Sequence, residues 1–366
     1  MILAPLYMLA MLAVAFSRGR WAAPCVALLL CFSTATTADY ADFPSYVNYY
    51  AIVQTGGTPT GLYDLPAGWF LLNRTIAATG LSVRGFVCVV LVLCVFLTAR
   101  FYRRVGCERN LHWCLFLLFP ALVQCVQLRF FLGFSIVLLS FAGIVNGERF
   151  GILRYVVGVL VASTIHSSML VFLVLAPAGK LGDLGVKKAA LVVASLALMA
   201  YLCVGYVPGI AASLLNDVKY ERYFVSDIST TTGSWFMKIL FIWASAVVFS
   251  YANVRVLGGG IGKAKRQVAV GDKRGTTLLV AVALTGITLP LLQFDSNFHR
   301  FIEMGFMLSY VLFSYLWQSG EVPSSHKLLL LLCFLVLGAI AAYVYEPFPT
   351  VIEPLLSYDG FHSLLG

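Results

Sequence analysis

Apolar stretches of about 16 to 20 residues recur along the whole chain, separated by short polar and basic clusters. Such lengths approach what a helix needs to cross a hydrocarbon core, and lipid offers no partners to backbone amides. The pattern therefore predicts membrane helices near residues 1–16, 21–38, 83–99, 111–126, 129–145, 152–165, 167–178, 189–206, 236–254, 276–293, 300–318 and 327–345. Strand alternation of the barrel type is absent. The expected fold is all-α, a polytopic transmembrane bundle of about 11–12 membrane segments forming one integral membrane domain over residues 1–366. The opening MILAPLYML lacks a basic n-region and reads as a retained span.

Composition agrees. Hydrophobic residues make up 60% of the chain and charged ones 11%, against roughly 25% charged in soluble domains; the mean hydropathy is +0.90. The net charge of +9 fits loops that obey the positive-inside bias, and no nucleic-acid partner is expected. The nine cysteines sit almost entirely in apolar stretches with no CxxC spacing. They read as small core residues, so neither a disulfide framework nor a metal site is expected.

Topology turns on residues 152–178. As one continuous helix, this stretch would put the basic loops 180–188 and 255–274 outside. As a broken or re-entrant hairpin turning near Ser163–Ser168, it keeps the larger share of the 25 Lys and Arg inside, which the positive-inside rule favours. A single broken span over 111–145 is the competing arrangement. The hairpin places the connections 39–82, 207–235 and 294–300 outside and makes 255–275 a basic cytoplasmic loop. The first connection is far longer than usual, which suggests function. After Pro66 it carries a semi-apolar segment, Ala67–Ala78, that reads as interfacial or re-entrant.

Polar residues stranded in this apolar sequence are the candidates for chemistry, because ionisable groups at membrane depth usually face a bundle interior or a substrate path. Arg129 follows Gln124 and Gln127. It could snorkel to headgroups, or its planar fork of donors could hold a phosphate or diphosphate. Arg300 presents the same choice, with an ion pair to Asp295 or Glu303 as its structural reading. His166, in the run Ala162-Ser-Thr-Ile-His-Ser-Ser168, is either a histidine bonded to backbone at a helix break or a base at a reacting hydroxyl. Asp39 and Asp42 are N-cap or turn residues, or carboxylate bases at the mouth of a site. Tyr40, Tyr46, Tyr49 and Trp69 belong to an interface belt or to a sugar-stacking platform. Gly258-Gly-Gly-Ile-Gly262 reads as a flexible linker, and nucleophile-elbow, Walker and His-Glu-x-x-His motifs are missing.

At these residues the chain resembles the EpsG-like branch of the Wzy-type polysaccharide polymerases of bacterial inner membranes, which make O-antigen, capsule and exopolysaccharide. The resemblance is carried by Asp42-Phe-Pro-Ser-Tyr46-Val-Asn-Tyr49, Asp64-Leu-Pro-Ala-Gly-Trp69-Phe-Leu-Leu-Asn73-Arg74 and Gln127-Leu-Arg129. It continues in His166-Ser-Ser-Met-Leu170, Tyr220-Glu-Arg-Tyr223 and Asn297-Phe-His-Arg300, in order over about residues 1–320. Phe130 stands where the family often has Gln, and Asp64 where Glu is common.

The resemblance implies a glycosyltransferase that moves a growing glycan from a polyprenyl diphosphate onto the next lipid-linked repeat unit at the outer face of the membrane. Arg129 and Arg300 would hold the diphosphate, and His166, Asp39 or Asp42 would take the acceptor proton. Tyr40, Tyr46, Tyr49 and Trp69 would carry the sugars. No cofactor or metal is demanded, since arginines can stabilise the leaving charge. A flippase and a chain-length regulator of the same pathway are the implied partners. Two alternatives remain at this point: a transporter or flippase of the same lipid-linked sugars, and a membrane acyltransferase built around the intramembrane histidine.

Overall fold

The structure, a computed structural model, describes residues 3–17, 21–37, 39–40, 42–58, 66–108, 110–214, 233–259, 265–294, 296–320, 322–345 and 352–357. The helices in its first part are α1 (Ala4–Phe16), α2 (Ala22–Thr36), α3 (Phe43–Gln54), α4 (Ala67–Ala77), α5 (Val83–Arg104), α6 (Leu111–Leu118), α7 (Ala121–Val126), α8 (Leu128–Val145) and α9 (Gly151–Ser163). Then come α10 (Ala178–Asp183), α11 (Val186–Cys203), α12 (Val207–Leu214), α13 (Gly233–Gly259), α14 (Lys265–Thr285), α15 (Arg300–Gln318), α16 (Ser324–Tyr345) and α17 (Ile352–Leu355). Tighter 3-10 turns cover Ser167–Leu175, Gly286–Gln293 and Ser296–His299. No β-strand occurs among the described residues.

Among the described residues, six helical stretches are long and apolar enough to cross a membrane: Val83–Arg104, Leu128–Val145, Val186–Gly209, Met237–Arg255, Lys273–Gln293 and Ser324–Ala342. The chain is a multi-pass helical membrane protein, as its hydrophobic pattern predicts. Shorter apolar helices, Ala4–Ala15, Ala22–Thr36 and Gly151–Ser163, belong to the same pattern, and other stretches are broken. Residues 111–126 split where Phe119 turns extended (φ −162°, ψ 131°) before Pro120; proline disfavours helix at the residue before it and lacks an N–H of its own. The helix that follows stops again at Gln127 (φ −93°, ψ 47°).

Two expected loops are partly helical. The connection 39–82 contains α3 as well as α4, and α4 starts after Pro66 as the sequence predicts. The basic segment 255–275 is entered from both sides: α13 runs through Gly258 and Gly259, and α14 begins at Lys265. The expected flexible linker is thus helical at its start, and residues 260–264 lie outside the described residues.

The helices group into two compact units. The first comprises residues 1–142, 153–170 and 332–366, and the second 143–152 and 171–331. In the first unit, α1 meets α6 through the Tyr7 hydroxyl, which donates to the Leu117 carbonyl (2.7 Å). Helix α5 meets α8 at Thr98 and Ser135, whose hydroxyls are 3.2 Å apart. The chain end docks on α2, with Thr37 Oγ1 donating to the Pro354 carbonyl (2.9 Å).

In the second unit, Ser250 of α13 and Ser309 of α15 share a buried hydrogen bond (2.8 Å). Lys273 of α14 pairs with Asp183 of α10 (2.8 Å) in the open.

The hairpin is present. Helix α9 returns along α8, where Gly158 leaves room for Ser140 and the Tyr155 ring meets Phe141 edge-on (5.4 Å). At one end of this pair, Gly133 faces both the Ala162 carbonyl and Met169. At the other, Gly151 lies against Gly143 and Gly179 against Ile144. Both ends of the stretch 152–178 therefore meet one end of α8, and its turn meets the other.

Candidate functional site

Three interruptions of helix meet in the first unit, at Pro66–Ala67, at Gln127 and at Thr164–His166. Helix α4 begins by pointing its backbone amides at the hairpin turn: Gly68 N (2.8 Å) and Trp69 N (3.2 Å) both donate to the Thr164 carbonyl. An uncapped N-terminus thereby finds an acceptor, and a frayed C-terminus finds donors. Gly68 is required by this approach, since a Cβ there would lie 2.3 Å from Thr164 Oγ1 and 2.8 Å from its carbonyl oxygen.

The buried stripe of α4, Trp69, Asn73 and Ile76, follows helical spacing. Trp69 packs edge-on against Phe86 (5.3 Å) and lies 6.3 Å from Tyr46. Helix α3 has the matching face, Phe43, Tyr46, Tyr50 and Val53. Its Tyr46 hydroxyl donates to the Val126 carbonyl (3.0 Å), one of the acceptors released where α7 ends at Gln127. Tyr50 donates to the Leu81 carbonyl (2.9 Å).

Around the hairpin turn, Ser163 and Thr164 hydroxyls fold back onto the Leu160 and Val161 carbonyls, which ends α9 by competing with its backbone ladder. His166 then stands outside regular helix, its N–H on the Ala162 carbonyl (3.0 Å). Its ring is held twice: Ser168 Oγ lies 2.6 Å from Nδ1, and Phe130 stacks edge-on at 5.7 Å. Arg129, the neighbour of Phe130, is half-buried between fully buried Leu128 and Phe130. Among the described residues its guanidinium has no hydrogen-bond partner and no counter-ion.

Arg129, His166, Tyr46 and Trp69, distant in sequence, thus belong to one local circuit. Tyr46 reaches Val126, Arg129 follows three residues on, Phe130 touches His166, and Thr164 returns to Trp69.

The carboxylates lie near its edge. Asp39 is exposed, and its Oδ1 accepts from the Tyr40 N–H (2.8 Å). Asp42 takes the N-cap position of α3 without a side-chain cap bond, leaving its half-buried carboxylate uncommitted to the helix end. Arg84, which sequence reading did not single out, ties this edge down. Its Nη1 donates to the Thr34 carbonyl (2.7 Å), and its guanidinium covers the Phe43 ring at 4.4 Å.

The open aromatic platform is not formed by the expected rings. Tyr40 is 3% exposed, Tyr46 6% and Trp69 0%, so their faces pack against the protein; of the four, Tyr49 stays half-buried. Burial, the largest cause, pushes the Tyr40 phenol well above its ordinary range, so it remains a neutral donor. The Tyr40 hydroxyl and Trp69 Nε1 have no partner among the described residues.

Arg300 opens α15 in the second unit, half-buried, with His299 and the fully buried Glu303 beside it in sequence. Phe301 anchors this turn edge-on against Phe172 (5.5 Å). Asp64, Tyr220–Tyr223 and Asp295 lie outside the described residues. Grouped His, Cys, Asp and Glu side chains fit to hold a metal ion are absent among the described residues.

The membrane helices, with polar residues gathered at breaks between them, define a polytopic membrane protein. A family model matches residues 20–358, and the chain belongs to the EpsG family. No curated protein and no solved structure matches it.

Proposed function

We propose that the protein is a membrane glycosyltransferase of the polysaccharide-polymerase kind. It would join polyprenyl-diphosphate-linked oligosaccharide repeat units at the outer face of a bacterial cytoplasmic membrane. The observation that carries this reading is Arg129: a half-buried guanidinium with no counter-charge among the described residues, one residue from the ring that braces His166. An uncompensated cation in a low-dielectric setting is a binding site for an anion. EpsG membership supports a polysaccharide polymerase over other anion-binding roles.

In the reaction, the acceptor hydroxyl oxygen forms the new bond to the donor's anomeric carbon. The bond from that carbon to the diphosphate oxygen breaks, and its electron pair leaves with the diphosphate. Arg129 stabilises the charge that builds there. The hydroxyl proton passes to His166, or to Asp42 or Asp39 at the edge of the site. Sugar recognition falls to Tyr49, with the buried Tyr40, Tyr46 and Trp69 packed behind it as support. A flippase delivering the lipid-linked repeats and a regulator of chain length are the partners this activity needs.

Arg129→Lys tests the reading. Lys keeps the charge and loses the fork of donors, so polymer should fall by about 10²–10³ while the protein still inserts and accumulates. A snorkelling Arg would tolerate Lys. Near-normal polymer length and yield would overturn the diphosphate role.

A further inference from the structure

The other end of the first unit holds a cavity that the proposed chemistry does not use. It has a volume of about 860 Å³ and lies between the start of α2 and the end of α5. Arg84 stands in the first turn of α5 and Arg103 in its last. At about 1.5 Å per residue, these two arginines stand roughly 28 Å apart along the helix.

Small side chains create the space: Ala23 and Ala27 on α2 face Ala99 on α5, and Val92, Val95 and Phe96 continue the apolar wall. Such a wall, on helices whose neighbouring Leu28 and Val92 are exposed, suits acyl chains.

The polar end is differently built. Tyr102 stacks on His112 (3.9 Å) and meets Trp113 edge-on (5.4 Å), and Asn110 donates to Ser17 Oγ (3.0 Å), so these groups close the floor. Trp21 stands 65% exposed at the rim, the place an aromatic belt occupies at a membrane–water interface. Arg103 lines the cavity with an exposed guanidinium that has no partner among the described residues. Glu108 is the carboxylate in the same lining. Arg100 and Arg104 flank Arg103 on α5, so positive charge dominates this end of the helix.

We infer that this cavity binds an anionic glycerophospholipid, with its phosphate on Arg103 and its acyl chains along the alanine-lined wall of α2 and α5. The chemistry is that of a basic, aromatic-rimmed pocket at the end of a span, where each cation adds attraction for an anionic headgroup. The site is separate from the proposed polymerase chemistry and stands without it.

The test is thermal unfolding of the purified, delipidated full-length protein in detergent, titrated with phosphatidylglycerol or phosphatidylcholine. Phosphatidylglycerol should raise the melting temperature saturably, and phosphatidylcholine should do so only weakly. Arg103→Gln should weaken the phosphatidylglycerol response about fivefold or more, and Ala23→Trp should abolish it by filling the wall. Leu28→Trp, on the same helix outside the cavity, should respond as the wild type does. Each unliganded variant's melting temperature shows whether it has folded. Equal shifts from both lipids, a wild-type response in Arg103→Gln, or equal loss in Leu28→Trp would each overturn the site.

Discussion

His166 can serve the proposed reaction in only one of the two arrangements open to its ring. If Ser168 donates to Nδ1, the ring proton sits on Nε2 and the histidine is a hydrogen-bond donor. If Nδ1–H donates to Ser168, 2.6 Å away, Nε2 becomes the acceptor a base requires. The second arrangement is the one the proposed role needs. Ser168→Ala should then lower turnover roughly tenfold, about 1.4 kcal/mol, by releasing the ring. His166→Ala should lower it about 10²–10⁴-fold. The check is the pH–rate profile: activity in the wild type should rise as the imidazole loses its proton, and His166→Ala should lose that limb. An unchanged profile would move the base to Asp42 or Asp39. Arg129 and His166 were legible in the sequence because charged and titratable groups stand out against lipid-facing residues. Ser168 and Arg84 were not, since their roles depend on a ring and a carbonyl that fold brings near.

Backbone contacts hold the centre of this site, and one charged side chain, Arg84, holds its edge. Helix α4 docks by two amides on one carbonyl, and Gly68 is the residue that permits it. Gly68→Ala should displace α4 from the hairpin turn and destabilise the protein by about 1–3 kcal/mol, seen as a lower melting temperature. Thr164→Ala should not rescue it, because the Thr164 carbonyl would still lie 2.8 Å from the new Cβ; full rescue would contradict the docking. Arg84→Gln should free the start of α3, so that limited proteolysis cuts within residues 39–58 in the variant and spares them in the wild type. Equal cleavage in both would deny Arg84 that role. Sequence spacing showed α4 because Pro66 marks its start. It missed α3, whose apolar face is built from Phe43, Tyr46 and Tyr50, aromatics that also suit an interfacial loop.

At the scale of the molecule, the fold was legible because a membrane leaves so few solutions: apolar stretches must be helices, and basic loops must stay on one side. The hairpin at 152–178 followed from that charge argument, and α8, α9 and the turn at His166 bear it out. The sugar platform did not follow, because composition cannot tell an exposed tyrosine from one that turns inward, as Tyr46 does to reach Val126. On the proposed function, these parts serve group transfer on a lipid-linked glycan. The most direct measurement adds a defined polyprenyl-diphosphate-linked repeat unit to the purified protein in liposomes and follows product mass and sidedness together. The account predicts a ladder of lipid-linked glycans growing by whole repeat units, with one polyprenyl diphosphate released per step, and no ladder from Arg129→Lys. Transfer of the lipid across the bilayer at unchanged mass would contradict it and make the protein a flippase.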